Sequence, residues 1–291
     1  NISSIRLIDL EEKTVTMQAS LSATGDKPAI INWTVDENQD MIISRDLGKD
    51  GNVNVLKTRA SEFKSEVKLG NSKQQAAVGA FVHPQTGNIY YALYKDQSIY
   101  EYKFEDKTTN VIASHPRVKE TLRMVVHPTG KYAYLLRQYN ERGNGYISRM
   151  DYNSTANQFT TPYIVAGSAS GSGYRDGVGS RVQMNGPTQG VFVKNPEYAG
   201  EEDEYDFYFC DERNHCIRIL TPTGRVVTFA GRGNDSSDPG FANGALRSEA
   251  RFAYPWALAY DEKRKCFYVG ERGMNRDGKE QAVIRKIAME E

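Results

Sequence analysis

A long motif occurs twice in this chain, from Val165-Ala166-Gly167 to Arg218-Ile219-Leu220 and from Phe229-Ala230-Gly231 to Ile284-Arg285-Lys286. Each copy runs from Ala-Gly through a polar loop to Gly-aromatic-x-(Asp/Asn)-Gly, at Gly173 to Gly177 and Gly240 to Gly244. Pro, an apolar strand, Phe-Tyr, an acidic residue and Ile-Arg follow in the same order. A unit of this size buries its apolar face by stacking on units like itself, so repetition constrains the architecture before any single residue constrains the chemistry. It also marks the recurring residues as structural first.

Five segments share one plan of apolar strand, turn, second strand and polar break: Ile30 to Ser44, Val78 to Leu93, Leu122 to Leu136, Gln189 to Cys210 and Ala257 to Gly270. Short period-two or apolar runs joined by turn residues read as β-hairpins. A third strand with an apolar-charged pattern follows each hairpin, at Val53, Ile99, Ile147, Cys216 and Val283, and a fourth is legible at Arg225 to Phe229. The content of Tyr 18, Phe 11 and Gly 25 suits strands and turns. Four antiparallel strands recurring at this spacing predict an all-β fold, a six-bladed β-propeller of four-stranded antiparallel blades spanning 1–291 as a single domain. The stretch Ile5 to Met17 matches a third and fourth strand without their hairpin, so the first blade is expected to be incomplete. A five-bladed ring closed by those amino-terminal strands is the alternative.

Lys+Arg 37 balances Asp+Glu 37, so the chain lacks the positive charge that drives nonspecific nucleic-acid binding, and no nucleic-acid partner is expected. No transmembrane run of about 18 apolar residues occurs, and Asn1 to Ser4 carry neither a basic nor an apolar leader region. The start reads as a cut, with Ile5 to Ile8 already strand-like. Cys210, Cys216 and Cys266 are too few for a disulfide framework and too scattered for a zinc site. Cys210 and Cys216 bracket one hairpin, and a small buried thiol is the favoured reading for Cys210, whose slot is small or apolar in the other units.

The doubled stretch resembles the NHL-repeat family. The resemblance is carried by Gly173-Tyr174-Arg175-Asp176-Gly177, Pro187, Phe207 to Asp211 and Asn214 to Arg218, and in the second copy by Gly240 to Gly244, Pro255 to Asp261 and Phe267 to Glu271. The long Gly-rich connector before each hairpin is similar to that of bacterial envelope proteins in which an IPT/TIG domain precedes the propeller. The resemblance implies a six-bladed ring, a periplasmic or cell-surface location, an upstream IPT/TIG-like domain and a binding role, and it does not imply a reaction.

Four histidines occur, and His83 and His127 lie in matching Val-His-Pro triplets where other units place Asp36, Lys194 and Asp261. A position that takes Asp, Lys and His alike holds a turn, so no catalytic residue and no metal ligand is assigned there. Gly167 to Gly173 is glycine-rich and contains Gly-x-Ser-x-Gly, but it lacks the Lys-Ser/Thr and the helix that a phosphate loop or a nucleophile elbow requires.

Function is sought instead where the repeats diverge. Arg45, Tyr94, Arg137, Asp211 and Glu271 end the second strand of each unit, equivalent positions that a propeller brings round one mouth. Tyr174, Arg175, Arg213 and Trp256 lie in or beside the surrounding loops, and Arg123 falls early in a first strand, where it needs a carboxylate such as Asp211 or Glu271. Asp211 and Glu271 equally suit a turn cap or an ion pair with arginine. Aromatic faces with Arg, Asn and Asp suit a hydroxyl-rich ligand, which predicts a non-enzymatic binding propeller for a carbohydrate or peptide, without a cofactor. The alternatives are a propeller hydrolase or lactonase, with calcium held by Asp211 and Glu271 and Arg123 polarising the substrate, and a protein-interaction scaffold.

Overall fold

The computed structural model describes residues 3–9, 12, 14–21, 29–35, 40–46, 53–59, 62–69, 77–93, 97–103, 105–118, 121–137, 145–233, 239–274 and 280–288; for the strands before residue 79 the description is of the backbone. Strands β1 (Ser3–Asp9) and β2 (Thr14–Leu21) pair antiparallel. A four-stranded sheet follows in chain order, β3 (Ala29–Val35), β4 (Asp40–Asp46), β5 (Val53–Arg59) and β6 (Glu62–Leu69). The next has the same order, β7 (Ala77–Val82), β8 (Ile89–Leu93), β9 (Ser98–Tyr102) and β10 (Thr109–Ser114). In the fourth sheet β11 (Thr121–Val126), β12 (Tyr132–Arg137), β13 (Tyr146–Asn153) and β14 (Gln158–Phe159) are neighbours in turn, and β15 (Tyr163–Gly167) pairs with β13.

The doubled motif forms the last two sheets. In the first copy β17 (Pro187–Lys194), β18 (Tyr205–Asp211), β19 (Cys216–Leu220) and β20 (Arg225–Ala230) lie side by side, with the short β16 (Gly177–Val178) outside β20. The second copy has β21 (Pro255–Asp261), β22 (Cys266–Met274) and β23 (Glu280–Ala288). All five hairpins and their third strands are present. The structure adds fourth strands at β6 and β10, which alternation hides: β10 is mostly exposed, so neither of its faces had to be apolar. β18 is buried from Asp206 onward and reads as a continuous apolar-aromatic run, whereas β20 alternates in burial. Among the described residues no helix is long and apolar enough to cross a membrane.

Contacts gather the chain into two compact units, Asn1–Leu135 with Met150–Pro162, and Leu136–Arg149 with Tyr163–Glu291. The core of the first includes Phe81, Tyr90, Met124, Leu135 and Phe159, with Phe81 stacked on Tyr90 at 5.4 Å and Phe159 edge-on to Tyr90 at 5.2 Å. The core of the second is built from Tyr208, Ile217, Phe252, Phe267 and Val269, with Tyr208 and Phe267 ring centroids 4.7 Å apart. Fully burying each such side chain stabilises the fold by about 1.5–3 kcal/mol.

Every histidine ring accepts a backbone N–H through Nδ1: His83 from Gln85, His115 from Arg117, His127 from Thr129 and His215 from Tyr254. His83 is fully buried and its Nε2 lies 3.0 Å from the Gly130 carbonyl. Gly130 adopts φ +75°, and a Cβ there would come within 2.9 Å of the His83 ring, so glycine is needed for both conformation and space. These are the turn-holding histidines that the matching triplets predict. Cys210, Cys216 and Cys266 are buried free thiols, with Cys210 opposite Ile217 and Cys216 opposite Asp211.

Candidate functional site

The doubled motif resolves into one side-chain device, built twice. In the first copy Arg218, completely buried on β19, donates through Nη1 to the Gln183 carbonyl at 2.7 Å and to Asp211 Oδ2 at 3.0 Å. Its Nη2 donates to the Arg175 carbonyl and to Asp176 Oδ1, both at 2.9 Å. In the second copy Arg285 on β23 donates to the Arg251 carbonyl, to Glu271 Oε1 at 3.3 Å, to the Ala242 carbonyl at 2.6 Å and to Asn243 Oδ1 at 2.8 Å. The recurring Ile-Arg, the acid after Phe-Tyr and the Asp/Asn of the glycine loop are therefore parts of one arginine clamp, which fastens the loop to the sheet.

Asp211 and Glu271 are spent inside this clamp. Asp211 also accepts from the Asn185 N–H at 2.7 Å and from Asn214 Nδ2 at 2.8 Å, while Glu271 Oε2 accepts from the Ala253 N–H at 2.6 Å. Burial pushes both carboxyls above their ordinary values, while the arginine and the amide donors pull them back down. The carboxylates that the sequence offers to Arg123 or to calcium thus go to Arg218 and Arg285, each from the same sheet rather than a neighbouring one. Arg123 is half-buried on β11, and burial pushes its guanidinium down to about 10.

The other sequence-derived positions fall into three groups. Tyr174 and Arg175 belong to the glycine loop of the first clamp: the Tyr174 ring lies 5.3 Å from the Arg218 guanidinium carbon, its hydroxyl meets Thr228 Oγ1 at 2.6 Å, and Arg175 Nε donates to the Arg181 carbonyl at 2.7 Å. Arg45 and Arg137 lie on β4 and β12, whose backbone is described, and Tyr94 lies outside the described residues. Arg213 and Trp256 are joined by two residues that the sequence did not single out, Glu212 and Arg272.

Glu212 and Arg272 occupy the same backbone position in the two copies, one residue past the clamped acid. The Glu212 N–H donates to the Gly186 carbonyl at 2.9 Å and the Arg272 N–H to the Tyr254 carbonyl at 3.0 Å. Glu212 is only 5% exposed, yet among the described residues no donor and no ion pair closes on its carboxylate. Burial pushes its carboxyl up, and the charges of Arg272 and then Arg213 pull it back. The Arg272 guanidinium lies over the Trp256 ring at 4.6 Å, and Thr188, at the position equivalent to Trp256, donates its hydroxyl to the Trp256 carbonyl at 3.0 Å. A Cβ built on Gly186 would lie 3.5 Å from Glu212 Oε2, so the bare glycine leaves that side of the carboxylate uncovered. The two copies thus differ at one equivalent position, a buried acid in the first and an exposed base in the second, and the opposite charge is the part of this visible in the sequence. Among the described residues no group of three His, Cys, Asp or Glu side chains converges as a metal site would.

No family model matches this chain, and no curated protein does. Solved structures do. An auxiliary nutrient binding protein from Bacteroides ovatus ATCC 8483 is 39% identical over 99% of this chain with a TM-score of 0.82, and one from Bacteroides thetaiotaomicron VPI-5482 is 38% identical over 97% with a TM-score of 0.80. A provisional phosphatase from the same B. thetaiotaomicron strain is 31% identical over 99% with a TM-score of 0.77. The chain spans 64%, 63% and 66% of the length of these three proteins. Together with the four-stranded antiparallel sheets, the likeness makes this chain an all-β propeller.

Proposed function

We propose that this chain is the non-enzymatic binding propeller of a bacterial envelope protein, holding a carbohydrate or peptide nutrient at one face. The observation that carries the reading is the likeness, at 39% and 38% identity, to two auxiliary nutrient binding proteins. The doubled motif supports an NHL-type family for the domain, with 1–291 as one propeller of six blades and a place in the envelope or outside the cell. Arg45, Tyr94, Arg123, Arg137, Tyr174, Arg175, Asp211, Arg213, Trp256 and Glu271 remain the residues from which the working face is drawn. The clamp divides their roles: Asp211 and Glu271 hold loops in place, whereas the charge of Arg213 acts on Glu212 and the Trp256 ring carries the Arg272 guanidinium. The test is a combined glycan and peptide array with the intact chain. Binding to a defined class is the expected result; silence on both arrays overturns the reading.

A hydrolase reading draws its support from the phosphatase name of one similar protein. It expects turnover of a phosphate ester or a lactone and thermal stabilisation by a divalent cation. Neither effect is expected if Asp211 and Glu271 serve Arg218 and Arg285, as their contacts favour.

A further inference from the structure

We propose that Glu212, Arg272 and the indole of Trp256 form a subsite for a neutral carbohydrate that presents two adjacent hydroxyls. The inference rests on the nutrient-binding reading and names the ligand chemistry within it. Its starting point is an imbalance. Around the two clamps the acidic groups have donors: Asp211 and Asp176 accept from Arg218, and Glu271 from Arg285. Among the described residues Glu212 receives no hydrogen bond, and although the residue is only 5% exposed its carboxylate oxygens are not among the fully buried unpartnered atoms, so water still reaches them. A recessed carboxylate that no protein donor engages is open to a ligand that supplies the donors the protein withholds.

The surroundings restrict what that ligand can be. The positive charges acting on Glu212 are those of Arg272 and then Arg213, and among the described residues neither is ion-paired to its carboxylate. An anionic ligand group would meet the carboxylate of Glu212, and a cationic one would meet the two guanidinium groups. A hydroxyl satisfies both sides at once, because it donates its proton to a carboxylate while its oxygen accepts from a guanidinium. Two neighbouring hydroxyls match the two carboxylate oxygens. The half-buried Trp256 adds a flat apolar surface, already attractive enough to hold the Arg272 guanidinium at 4.6 Å, against which the C–H face of a sugar ring packs. In the first copy the position of Trp256 is Thr188, whose hydroxyl is committed to the Trp256 carbonyl, so the stacking surface belongs to the second copy and the carboxylate to the first.

The chain has two tryptophans, so Trp33→Phe leaves Trp256 as the single indole reporter. In that background the probes are soluble neutral gluco-, xylo- and manno-oligosaccharides, with affinity read by calorimetry and Trp256 by its emission. The expected result is an oligosaccharide that changes Trp256 emission and whose affinity falls at least tenfold in Glu212→Gln, as loss of a charged hydrogen bond requires. The melting temperature of Glu212→Gln should equal or exceed that of its parent, since partial burial disfavours the charge and no hydrogen bond among the described residues is lost. Arg272→Ala, at an exposed position, should weaken the same ligand at least fivefold and carries the test if Glu212→Gln fails to fold. Oligosaccharide binding with unchanged Trp256 emission and unchanged affinity in both variants overturns the subsite and leaves the nutrient-binding reading standing. With short peptides and anionic oligosaccharides as comparison probes, binding of those alone also overturns the subsite. No binding to any of these overturns both.

Discussion

Replacing Arg218 by alanine tests whether the clamp is what the repeated residues are for. Arg218 uses four of the five N–H donors of a guanidinium, two on carboxylates and two on backbone carbonyls, and is wholly buried. Alanine leaves Asp211 buried without a counter-charge and the Gln183 and Arg175 carbonyls without their donors. Removing one partner of a buried pair costs about 3–5 kcal/mol, which at about 2 °C per kcal/mol lowers the melting temperature by roughly 6–10 °C. The second clamp is looser: the Arg285 side chain retains 13% exposure and its Glu271 contact is 3.3 Å, so Arg285→Ala is expected to cost about 1–3 kcal/mol. Adding Asp211→Asn to Arg218→Ala removes the orphaned charge and should restore about 1–3 kcal/mol, a coupling that independent sites would not show. Urea unfolding followed by circular dichroism measures all four proteins. A cost below about 1 kcal/mol for Arg218→Ala, or a larger cost for Arg285→Ala than for Arg218→Ala, would refute the reasoning.

Three further outcomes follow from separate features. Burial holds the His83 pKa below its ordinary 6.5, so the unfolded chain binds the extra proton first. The stability contribution is therefore full above pH 6.5 and is lost as pH falls through 6.5 toward the folded value; His83→Asn, which keeps an acceptor for the turn, should flatten that part of a melting-temperature profile. Gly231 has φ +89° and a Cβ there would meet the His215 carbonyl at 2.7 Å, whereas nothing lies within 4 Å of a Cβ on Gly171. Gly231→Ala should abolish soluble folded protein or cost more than about 2 kcal/mol, with Gly171→Ala close to neutral by the same unfolding assay. Cys210 and Cys216 are buried thiols with pKa values pushed up by that burial, so a thiol reagent should label them only after urea unfolding; rapid labelling of the native protein would contradict their placement.

Hairpins and third strands were legible because their signal is local: alternation within six residues and turn residues at the ends are enough to recognise β7 with β8 or β21 with β22. The outer strand β10 was harder to read, since exposure relaxes the pattern that reveals a strand. The histidine turns were legible because different units substitute Asp or Lys at the same place. The partner of Asp211 was not, because pairing depends on three-dimensional register: Arg218 follows Asp211 by 7 residues while Arg285 follows Glu271 by 14. A fuller signal lay in three polar positions recurring together, the loop Asp/Asn, the acid and the arginine, which is the signature of one network. Glu212 and Arg272 sit one residue beyond that network, and burial of Glu212 without a donor is a property that no sequence pattern expresses.

The spacing of the clamp has a consequence for how such a chain can change length. Arg218 reaches the Arg175 carbonyl across 43 residues and Arg285 reaches the Ala242 carbonyl across the same 43, although the two copies distribute the residues between differently. The first copy spends its extra residues between β17 and β18, the second in lengthening the paired strands β22 and β23. Since the clamp fastens the two ends of that span and only Gln183 and Asp211, or Arg251 and Glu271, within it, the stretches between those points can differ in length without loosening the loop. The connection between β17 and β18 is accordingly where the chain should accept a grafted segment or a fused reporter, because closure entropy grows only slowly with the length inserted.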